Sequence, residues 1–405
     1  MAHHPLASKL PPFTLLDEPL LAFSPEQSDD VDVHPLRGLS RYGPFSKGSF
    51  GAFTANVRVA TVGPDSAFKQ RGTLLAMLRN PLQPSDRTEY VPTYPGFEAL
   101  FNVGLVSAPP ATHIRWPDSL SQLDGQGTVE QRLYQAMDAA LRRLEAMRNE
   151  FDVVVVHFPE AWGPATRSVA FDAHDALKAL GAKYNIPTQV INDRAFHFRH
   201  RASLAWRLAI ALYVKAGGIP WKLARVPSVP DETAYIGLAY ALRGDQRDAH
   251  FVTCCSQVFD MDGGGMQFVA FEARDPVTNL EEARRNPYLS RDDMRAVLAR
   301  SLALYQDRNG GSLPKRLVIH KTTAFKAEEL DGAFDALAGI PEVECIEIGA
   351  RANWRGVWLI DSGRQVPPSK PSAYPVPRGT VVVRSGVSAL LWVAGNSPHA
   401  TTTGD

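Results

Sequence analysis

The sequence has few cysteines and no long apolar run. Its three cysteines are Cys254, Cys255 and Cys345; two are adjacent and none has the spacing of metal ligands. A disulfide framework or a zinc site is therefore not expected, and reduced thiols fit a cytoplasmic protein. No stretch approaches the ~20 apolar residues that span a membrane. The N-terminus also lacks the apolar core of a signal peptide.

The chain has no excess of charge and no glycine-rich loop for a cofactor phosphate. Its formal net charge is +0, so nucleic-acid binding would need a local basic patch. The glycines at 263–265 lie in a hairpin signal and not between a strand and a helix, which argues against a P-loop or Rossmann cofactor motif. An enzyme with a nucleotide cofactor is therefore not favoured.

The length, hydrophobic content and alternating patterns of the chain favour two α/β units. The 405 residues are 44% hydrophobic, enough for a sizeable core and more than one domain. Residues 1–50 are rich in proline, acidic residues, glycine and serine, and we interpret them as an irregular lead-in. Proline and turn residues also dominate 78–128. From residue 151 buried-type strands alternate with amphipathic helices, at 152–157, 168–184, 186–191 and 202–216, which predicts a doubly wound, Rossmann-like unit.

A different order follows from residue 229. Strands are predicted at 235–242, 250–259 and 267–273, the last two joined by a glycine-rich hairpin. Helices at 291–305 and 326–337 then alternate with strands at 316–320 and 343–348. Three strands in hairpin order followed by alternating α and β elements is the order of an RNase H-like fold.

Four polar residues of the first unit suit a terminal phosphate. His174 and Lys178 are one turn apart on a helix, Gln189 lies on the next strand, and Lys215 lies within an apolar helical stripe. A lysine among apolar groups is costly unless it meets an anion. Together these groups offer many hydrogen-bond donors to a phosphate monoester. In the plainer interpretation, Lys215 stabilises a helix C-terminus, and His174 and Lys178 are solvated.

The segment that contains Lys215 is basic throughout. Between residues 194 and 225 there are seven basic residues and no acidic one, with four Phe and Trp residues interleaved. Basic groups with aromatics are what a nucleic-acid strand needs, although a buried helix with solvated basic flanks would look the same. The predicted contacts to a nucleic-acid backbone are Arg194, Arg199, Arg201, Lys222 and Arg225.

With these residues the chain resembles the MID and PIWI domains of Argonaute proteins, and in particular the short prokaryotic Argonautes. The opening HPLRGLSRYGPFS is similar to their N-terminal segment. Family MID domains hold a guide 5′-phosphate with a Tyr-Lys-Gln-Lys set, which maps onto His174, Lys178, Gln189 and Lys215, with histidine in place of tyrosine. The resemblance implies a lead-in at 1–80, a MID-like domain at 81–228 and a PIWI-like domain at 229–405.

The same resemblance implies that the PIWI-like domain does not cut. Family nucleases hold two divalent cations with clustered carboxylates, as metal-assisted hydrolysis requires. Here YIGLAY places Ala239 at the first aspartate position, and VIHKTT places Thr322 at a later one. The carboxylates at 231, 232, 328 and 329 are off register. The chain also ends at ATTTGD, where family members continue with a further segment.

The function implied is that of a nuclease-dead protein with a short 5′-phosphorylated guide, expected to be RNA, held between the two domains. The guide would pair with complementary single-stranded nucleic acid, expected to be DNA. The implied partner is an APAZ-domain effector, an NADase or nuclease, activated in defence against plasmids or phages. A Mg²⁺ at the guide phosphate is compatible with the resemblance. The alternatives are an active guide-directed RNase H-like nuclease and an unrelated α/β binding protein.

Overall fold

A computed structural model describes most of the chain, namely residues 12–85, 87–168, 171–243, 251–260, 265–273, 281, 286–349, 354–363, 369–371 and 376–395. The chain divides into two compact units. Among the described residues, one comprises 18–222, and the other 12–17 with 223–395. We call them the Rossmann-like unit and the RNase H-like unit. No helix in the described ranges is long and apolar enough to cross a membrane.

The units are built from eighteen strands and eleven α-helices within the described residues. The strands are β1 (Phe13–Leu15), β2 (Leu21–Ala22), β3 (Val31–Asp32), β4 (Asn56–Pro64), β5 (Gly104–Ser107), β6 (His113–Trp116), β7 (Val153–His157), β8 (Thr188–Ile191), β9 (Lys222–Leu223), β10 (Thr233–Arg243), β11 (Phe251–Phe259), β12 (Gly265–Glu272), β13 (Arg316–Lys321), β14 (Glu342–Glu347), β15 (Leu359–Asp361), β16 (Ser369–Pro371), β17 (Thr380–Ser385) and β18 (Ser388–Leu391). The helices are α1 (Pro35–Tyr42), α2 (Lys47–Phe53), α3 (Phe68–Met77), α4 (Phe97–Phe101), α5 (Val129–Glu145), α6 (Gly163–Thr166), α7 (Ala173–Lys183), α8 (Asp193–His197), α9 (Arg201–Lys215), α10 (Arg291–Arg308) and α11 (Ala327–Ala336).

A parallel sheet forms the centre of the Rossmann-like unit. Its strand order is β5-β4-β7-β8, with β6 also paired to β4. β7 is buried along its whole length, as expected of a parallel strand covered on both faces. β4 pairs with β7 through Val59 opposite Val153. The unit therefore includes a central strand that lies before the expected boundary at residue 81, because that strand pairs with a segment about ninety residues later.

The N-terminal segment differs from the expected irregular lead-in. From residue 34 it folds into α1 and α2, and His34 caps α1 by accepting hydrogen bonds from Leu36 and Arg37. Phe23 and Leu39 belong to the hydrophobic core of the unit. Residues 78–128 likewise provide β5, β6 and several buried side chains. Low hydrophobic content therefore did not prevent these segments from packing, because a few large apolar residues anchor each of them.

Two helices of this unit position the predicted phosphate ligands. α7 begins at Ala173 and not at 168, because the Asp172 side chain accepts hydrogen bonds from the N–H groups of His174 and Asp175. Residues 169 and 170, within the predicted helix, lie outside the described residues. α9 is mostly buried, as its sequence predicts, and eight of its fifteen residues have less than a tenth of their surface exposed.

The RNase H-like unit has the predicted strand order. Its sheet runs β12-β11-β10-β13-β14; β10, β11 and β12 pair antiparallel, whereas β10, β13 and β14 pair parallel. α10 and α11 pack with the sheet in one hydrophobic core. The predicted α/β class is therefore confirmed. Most of the glycine-rich hairpin, residues 261–264, lies outside the described residues.

The remaining elements of this unit form small sheets. β1 pairs with β17, and β17 with β18, while β15 and β16 form a separate hairpin. Cys254 and Cys345 are reduced thiols, and Cys254 is buried in the core. Burial raises the pKa of Cys345 to about 11, so this thiol is a poor nucleophile at neutral pH.

Candidate anion and nucleic-acid site

Two of the four predicted phosphate ligands, Lys178 and Lys215, come together. Lys178 lies in the middle of α7, and its Nζ donates a hydrogen bond to the Thr188 carbonyl oxygen at 2.8 Å. Lys215 is the last residue of α9, which contacts the same strand, β8. Neither lysine has an ion pair with a carboxylate anywhere in the described ranges. Two half-buried ammonium groups thus lie close together, and neither has a carboxylate partner in the described ranges.

The electrostatics of Lys178 reflect this arrangement. Burial, and then the neighbouring Lys215 ammonium, lower the pKa of Lys178 to about 8. An amine with that pKa is about nine-tenths protonated at pH 7. Desolvation and like charge both disfavour the charged form, and a bound anion would relieve both. The pair therefore has the properties of a preformed anion site.

The lysine pair lies at the amino end of β8. Thr188, which accepts the hydrogen bond from Lys178, is the first residue of that strand. In doubly wound folds ligands usually bind at the carboxyl ends of the strands. The position differs because α7 and α9 both run back along β8, which brings the middle of one helix and the end of the other to the start of the strand.

The other two predicted phosphate ligands, Gln189 and His174, each already contact a neighbouring group of the protein. Gln189 follows Thr188 on β8, half-buried, and its amide donates to the Val190 carbonyl oxygen at 2.9 Å. The His174 side chain is 57% exposed, and its Nδ1 lies 3.2 Å from an Asp175 carboxylate oxygen. A phosphate would compete with Asp175 for that ring nitrogen. Their roles as phosphate ligands remain predictions.

The Lys-Ala-Gly-Gly motif ends α9. Gly217 has φ +103 and a side chain there would be strained. A Cβ on Gly218 would lie 2.3 Å from the Tyr213 ring. Tyr213 in turn stacks on Phe101 and hydrogen-bonds to Ser46, with 2.9 Å between the two hydroxyl oxygens. The two glycines therefore fix the end of the helix at which Lys215 lies.

The five residues predicted to contact a nucleic-acid backbone have different environments. Arg194 forms an ion pair with Glu160, and Arg225 one with Asp231. Arg201 donates to the Phe196 carbonyl oxygen at 2.7 Å. These three are therefore engaged within the fold.

The other two residues of this set are Lys222, which lies near an aromatic ring, and Arg199, which is exposed. The Lys222 Nζ lies 5.4 Å from the centre of the Phe45 ring. Arg199 is exposed and forms no ion pair within the described part of the chain. Whether any of the five binds nucleic acid stays a prediction.

A cavity of about 320 Å³ is lined by residues of β8, α8 and α9, and neither Lys178 nor Lys215 is among them. Gln189, which directly follows the Thr188 that Lys178 contacts, also lines the cavity. Arg207 also lines the cavity. It is exposed and has no ion pair among the described residues. The sequence pattern did not single out Arg207, because its spacing resembles that of any solvated helix position.

The RNase H-like unit presents Ala239 and Thr322 at neighbouring strands. Ala239 is exposed on β10, opposite Cys255 of β11, and Thr322 is exposed directly after β13. Leu238 pairs with Lys321, so the two positions lie at the same level of the sheet. Neither side chain is a carboxylate.

A buried ion pair lies next to Thr322. Lys321 and Glu329 have no exposed side-chain surface and lie 2.5 Å apart. Glu329 also accepts hydrogen bonds from the Tyr240 hydroxyl and from the N–H groups of Leu289 and Lys326. Lys321 also donates to the Ala324 carbonyl oxygen at 3.0 Å. No sequence pattern indicated this pair, because Lys321 ends a strand and Glu329 lies on the following helix.

One acidic group could in principle bind a cation. Asp172, His174 and Asp175 form the single cluster, in the residues that the structure describes, of three or more potential ligands within 4.8 Å. The bonds already made explain the cluster: Asp172 caps α7, and Asp175 accepts from His174. A Mg²⁺ at the phosphate site therefore remains a prediction without a matching ligand set.

The comparisons with known proteins support an Argonaute-like fold. No protein-family model and no curated protein sequence matches the chain. Among solved structures, Aa-Ago with externally bound siRNA is 13% identical, with a TM-score of 0.53 over 96% of this chain and 48% of that one. The Marinitoga piezophila Argonaute complex with 5′ OH guide RNA and target DNA is 10% identical, with a TM-score of 0.53 over 95% and 52%.

The A. aeolicus Argonaute is a further match, 13% identical with a TM-score of 0.53 over 93% of this chain. The chain thus spans about half the length of the solved Argonautes that it matches, 44% to 52% of each. At such low identity the likeness shows the fold.

Proposed function

We propose that this protein binds the 5′ end of a short guide nucleic acid and presents the guide to a complementary single strand. The observation that carries the proposal is the pair formed by Lys178 and Lys215, which have no carboxylate partner among the described residues. Buried cations are normally paired, and a guide 5′-phosphate supplies the missing charge. The Argonaute-like fold supports the same function, since one neighbour is a complex with guide RNA and target DNA.

The nature of the guide is tested by the nucleic acid that the protein carries. The full chain, expressed together with its genomic neighbour, is purified, and the bound nucleic acid is extracted and labelled with and without phosphatase treatment. Digestion with RNase or DNase then identifies the polymer. Short RNA that can be labelled only after phosphatase treatment is the expected result. A stable, correctly assembled protein without bound nucleic acid would contradict the proposal.

We further propose that the RNase H-like unit does not cut the target. Alanine at 239 and threonine at 322 supply no ligand for a bridging cation, and the nearby Glu329 is occupied by Lys321 and three other donors. The test is incubation with guide, complementary target and Mg²⁺ or Mn²⁺. Specific cleavage that is lost on replacing one carboxylate would favour the active-nuclease alternative.

The resemblance to short Argonautes supports a partner as well. We propose an APAZ-domain effector, an NADase or a nuclease, that becomes active when the guide pairs with a target and so protects the cell against plasmids or phages. Co-purification with the genomic neighbour, followed by NAD⁺ consumption and nuclease assays with and without target, tests this. An effector whose activity does not change when matched target is added would exclude the activation step.

The interface with such a partner cannot be tested by a simple N-terminal deletion. The Pro-rich start of the chain and residues 78–128 are candidate interface segments because of their composition. However, Phe23 and Leu39 are core residues, so removing residues 1–45 would damage the Rossmann-like unit itself. Substitution of exposed side chains, such as Leu20 at 46% exposure, is the suitable experiment.

A further inference from the structure

A second cavity of the Rossmann-like unit, of about 370 Å³, is lined by residues of α3 and α8, with Leu82 and the first residue of α9, Arg201. The helices α3 and α8 contact each other, and they follow the parallel strands β4 and β8. Each of the two helices therefore leaves the carboxyl end of a strand. The crevice beyond those ends is where doubly wound folds usually bind small ligands, whereas the lysine pair lies at the amino end of β8.

Much of the wall of this second cavity is apolar. Leu74 and Met77 of α3 line it, together with Leu82 and with Phe196 of α8. Its volume falls within the range of about 300–1,000 Å³ that is typical of small-ligand sites. Sites of that kind hold the apolar body of a ligand on such a wall and orient it with a small number of polar groups.

Arg201 provides the charge of this lining, to which no described carboxylate belongs. Its Nη2 donates a hydrogen bond to the Phe196 carbonyl oxygen at 2.7 Å, and its Nη1 lies 3.7 Å from the Met77 sulfur. These two contacts hold the guanidinium at the cavity wall. A guanidinium has five N–H donors, so three of them have no hydrogen bond to a described residue and remain for a ligand.

A small organic carboxylate fits this combination of groups. Its apolar body would pack against the apolar wall, and its two oxygens would accept hydrogen bonds from the planar guanidinium. A phosphate monoester fits less well, because it carries close to two negative charges at neutral pH and Arg201 is a single cation. A neutral apolar ligand would cover the guanidinium without giving it a partner, which is costly.

We propose that the cavity between α3 and α8 binds a small carboxylate with an apolar body, and that Arg201 binds its carboxylate group. The site is separate from the lysine pair, since neither Lys178 nor Lys215 lines it. It also shares no lining residue with the cavity at β8, α8 and α9. The inference goes beyond the proposed function and does not depend on a bound guide. It gives Arg201 a small-molecule partner in place of the predicted nucleic-acid backbone.

Calorimetric titration of the full chain tests the site with phenylacetate and hexanoate as probes. Both should bind with a Kd of about 1 mM or lower, a modest affinity for ligands of this size. Phenylacetamide has the same ring but no charge, and it should bind about tenfold more weakly because it lacks the charge-assisted hydrogen bonds. A saturating 5′-phosphorylated guide should leave the affinity for phenylacetate unchanged, since the two sites are separate.

Two variants and a matched control locate the site. Arg201→Lys keeps the charge but not the planar fork of donors, and it should weaken phenylacetate binding about tenfold. Thr73→Trp places a large ring in the cavity from an exposed position of α3 and should abolish binding without touching Arg201. Arg207→Lys makes the same exchange on the same helix, at a residue that lines the other cavity, and should have no effect.

Failure of both carboxylates to bind wild-type protein at concentrations well above that Kd would overturn the inference. Equal binding by wild-type protein, Arg201→Lys and Thr73→Trp would overturn it as well, because the probes would then bind elsewhere. Displacement of phenylacetate by the guide would show that Arg201 contacts nucleic acid instead. Because the titration of the probes needs no guide, its failure is distinct from a failure of the proposed function.

Discussion

Each unit of the chain contains a lysine at least partly removed from water, but only the RNase H-like unit pairs that lysine with a carboxylate. In the RNase H-like unit, Lys321 is fully buried and meets Glu329, whose two oxygens accept four hydrogen bonds in all. In the Rossmann-like unit, Lys178 is half-buried and meets a second ammonium group, that of Lys215. The first charge is satisfied within the fold, whereas the second is not.

We interpret the Lys321–Glu329 pair as structural and the Lys178–Lys215 pair as a binding site. Burial lowers the pKa of both lysines, but Glu329 partly offsets that effect at Lys321, whereas Lys215 adds to it at Lys178. A like-charge pair costs folding free energy, and such arrangements are common where a protein has to bind an anion. Changes at Lys321 should therefore affect stability, and changes at Lys178 should affect ligand binding.

The largest effect on stability is expected at the buried pair. Glu329→Gln leaves the Lys321 ammonium without a counter-charge in the protein interior. Breaking a buried pair by removing one partner typically costs about 3–5 kcal/mol, and we expect a loss of unfolding free energy of that size. Urea denaturation followed by circular dichroism measures it.

A double variant shows whether the cost comes from the orphaned charge. Replacing both members with apolar residues, Lys321→Met with Glu329→Leu, is expected to recover most of the stability, since apolar replacements of buried pairs are often neutral. If Glu329→Gln costs less than about 1 kcal/mol, the pair is hydrated in solution. The claim that Lys321 is a buried, paired charge, unlike Lys178, would then be wrong.

The next effect is on the pH dependence of guide binding. Phosphate binding favours the protonated form of Lys178, whose pKa without ligand is about 8. The protonated fraction falls about tenfold between pH 7 and pH 9, while a phosphate monoester, with a second pKa near 6, stays a dianion. Affinity for a 5′-phosphorylated guide should therefore fall up to about tenfold over this range. A 5′-hydroxyl guide serves as control, and equal slopes for the two guides would contradict the assignment.

The smallest effect is a gain of stability at the phosphate site. Lys178→Met removes the like-charge contact and the cost of burial, and we expect a gain of about 1 kcal/mol at pH 7, kept small by solvent screening at a half-buried group. Because the pKa of Lys178 is lowered to about 8 in the folded state, its destabilising effect reaches its full size below about pH 8. The gain should therefore shrink as pH rises from 8 towards the ordinary lysine pKa. Thermal unfolding at pH 7 and pH 10 measures this, and a destabilised variant would argue against strain at the pair.

The sequence predicted the secondary-structure elements better than the domain boundary. Hydrophobic periodicity placed β7, α9 and the five strands of the RNase H-like sheet within a few residues of their observed ends, because burial sets those patterns. It could not place the domain boundary. β4 joins the parallel sheet through pairing with β7, and no local pattern indicates a partner so distant in sequence.

The sequence offered candidate residues for the site, whose roles stay predictions, but it did not predict their geometry. Helical spacing indicated that the His174 and Lys178 side chains converge on one ligand, whereas the contact of Lys178 with Thr188 depends on how α7 lies along β8. His174 was taken as a phosphate donor from its helical position, but the adjacent Asp175 engages the ring. Arg207 was counted in the basic segment but was not among the predicted contacts to a nucleic-acid backbone. The Lys321–Glu329 pair was missed because it depends on a tertiary contact.

The most direct test of the account measures the affinity of the full chain for 5′-phosphorylated and 5′-hydroxyl guides of one sequence, with Lys178→Ala combined with Lys215→Ala. Charge-assisted bonds to phosphate are lost in this variant, so binding of the phosphorylated guide should fall about a hundredfold, while the hydroxyl guide changes little. Lys183→Ala, on the same helix but paired with Asp138, should leave both affinities unchanged. Equal losses for the two guides in the double variant would contradict the assignment of the lysine pair as the guide 5′-phosphate site.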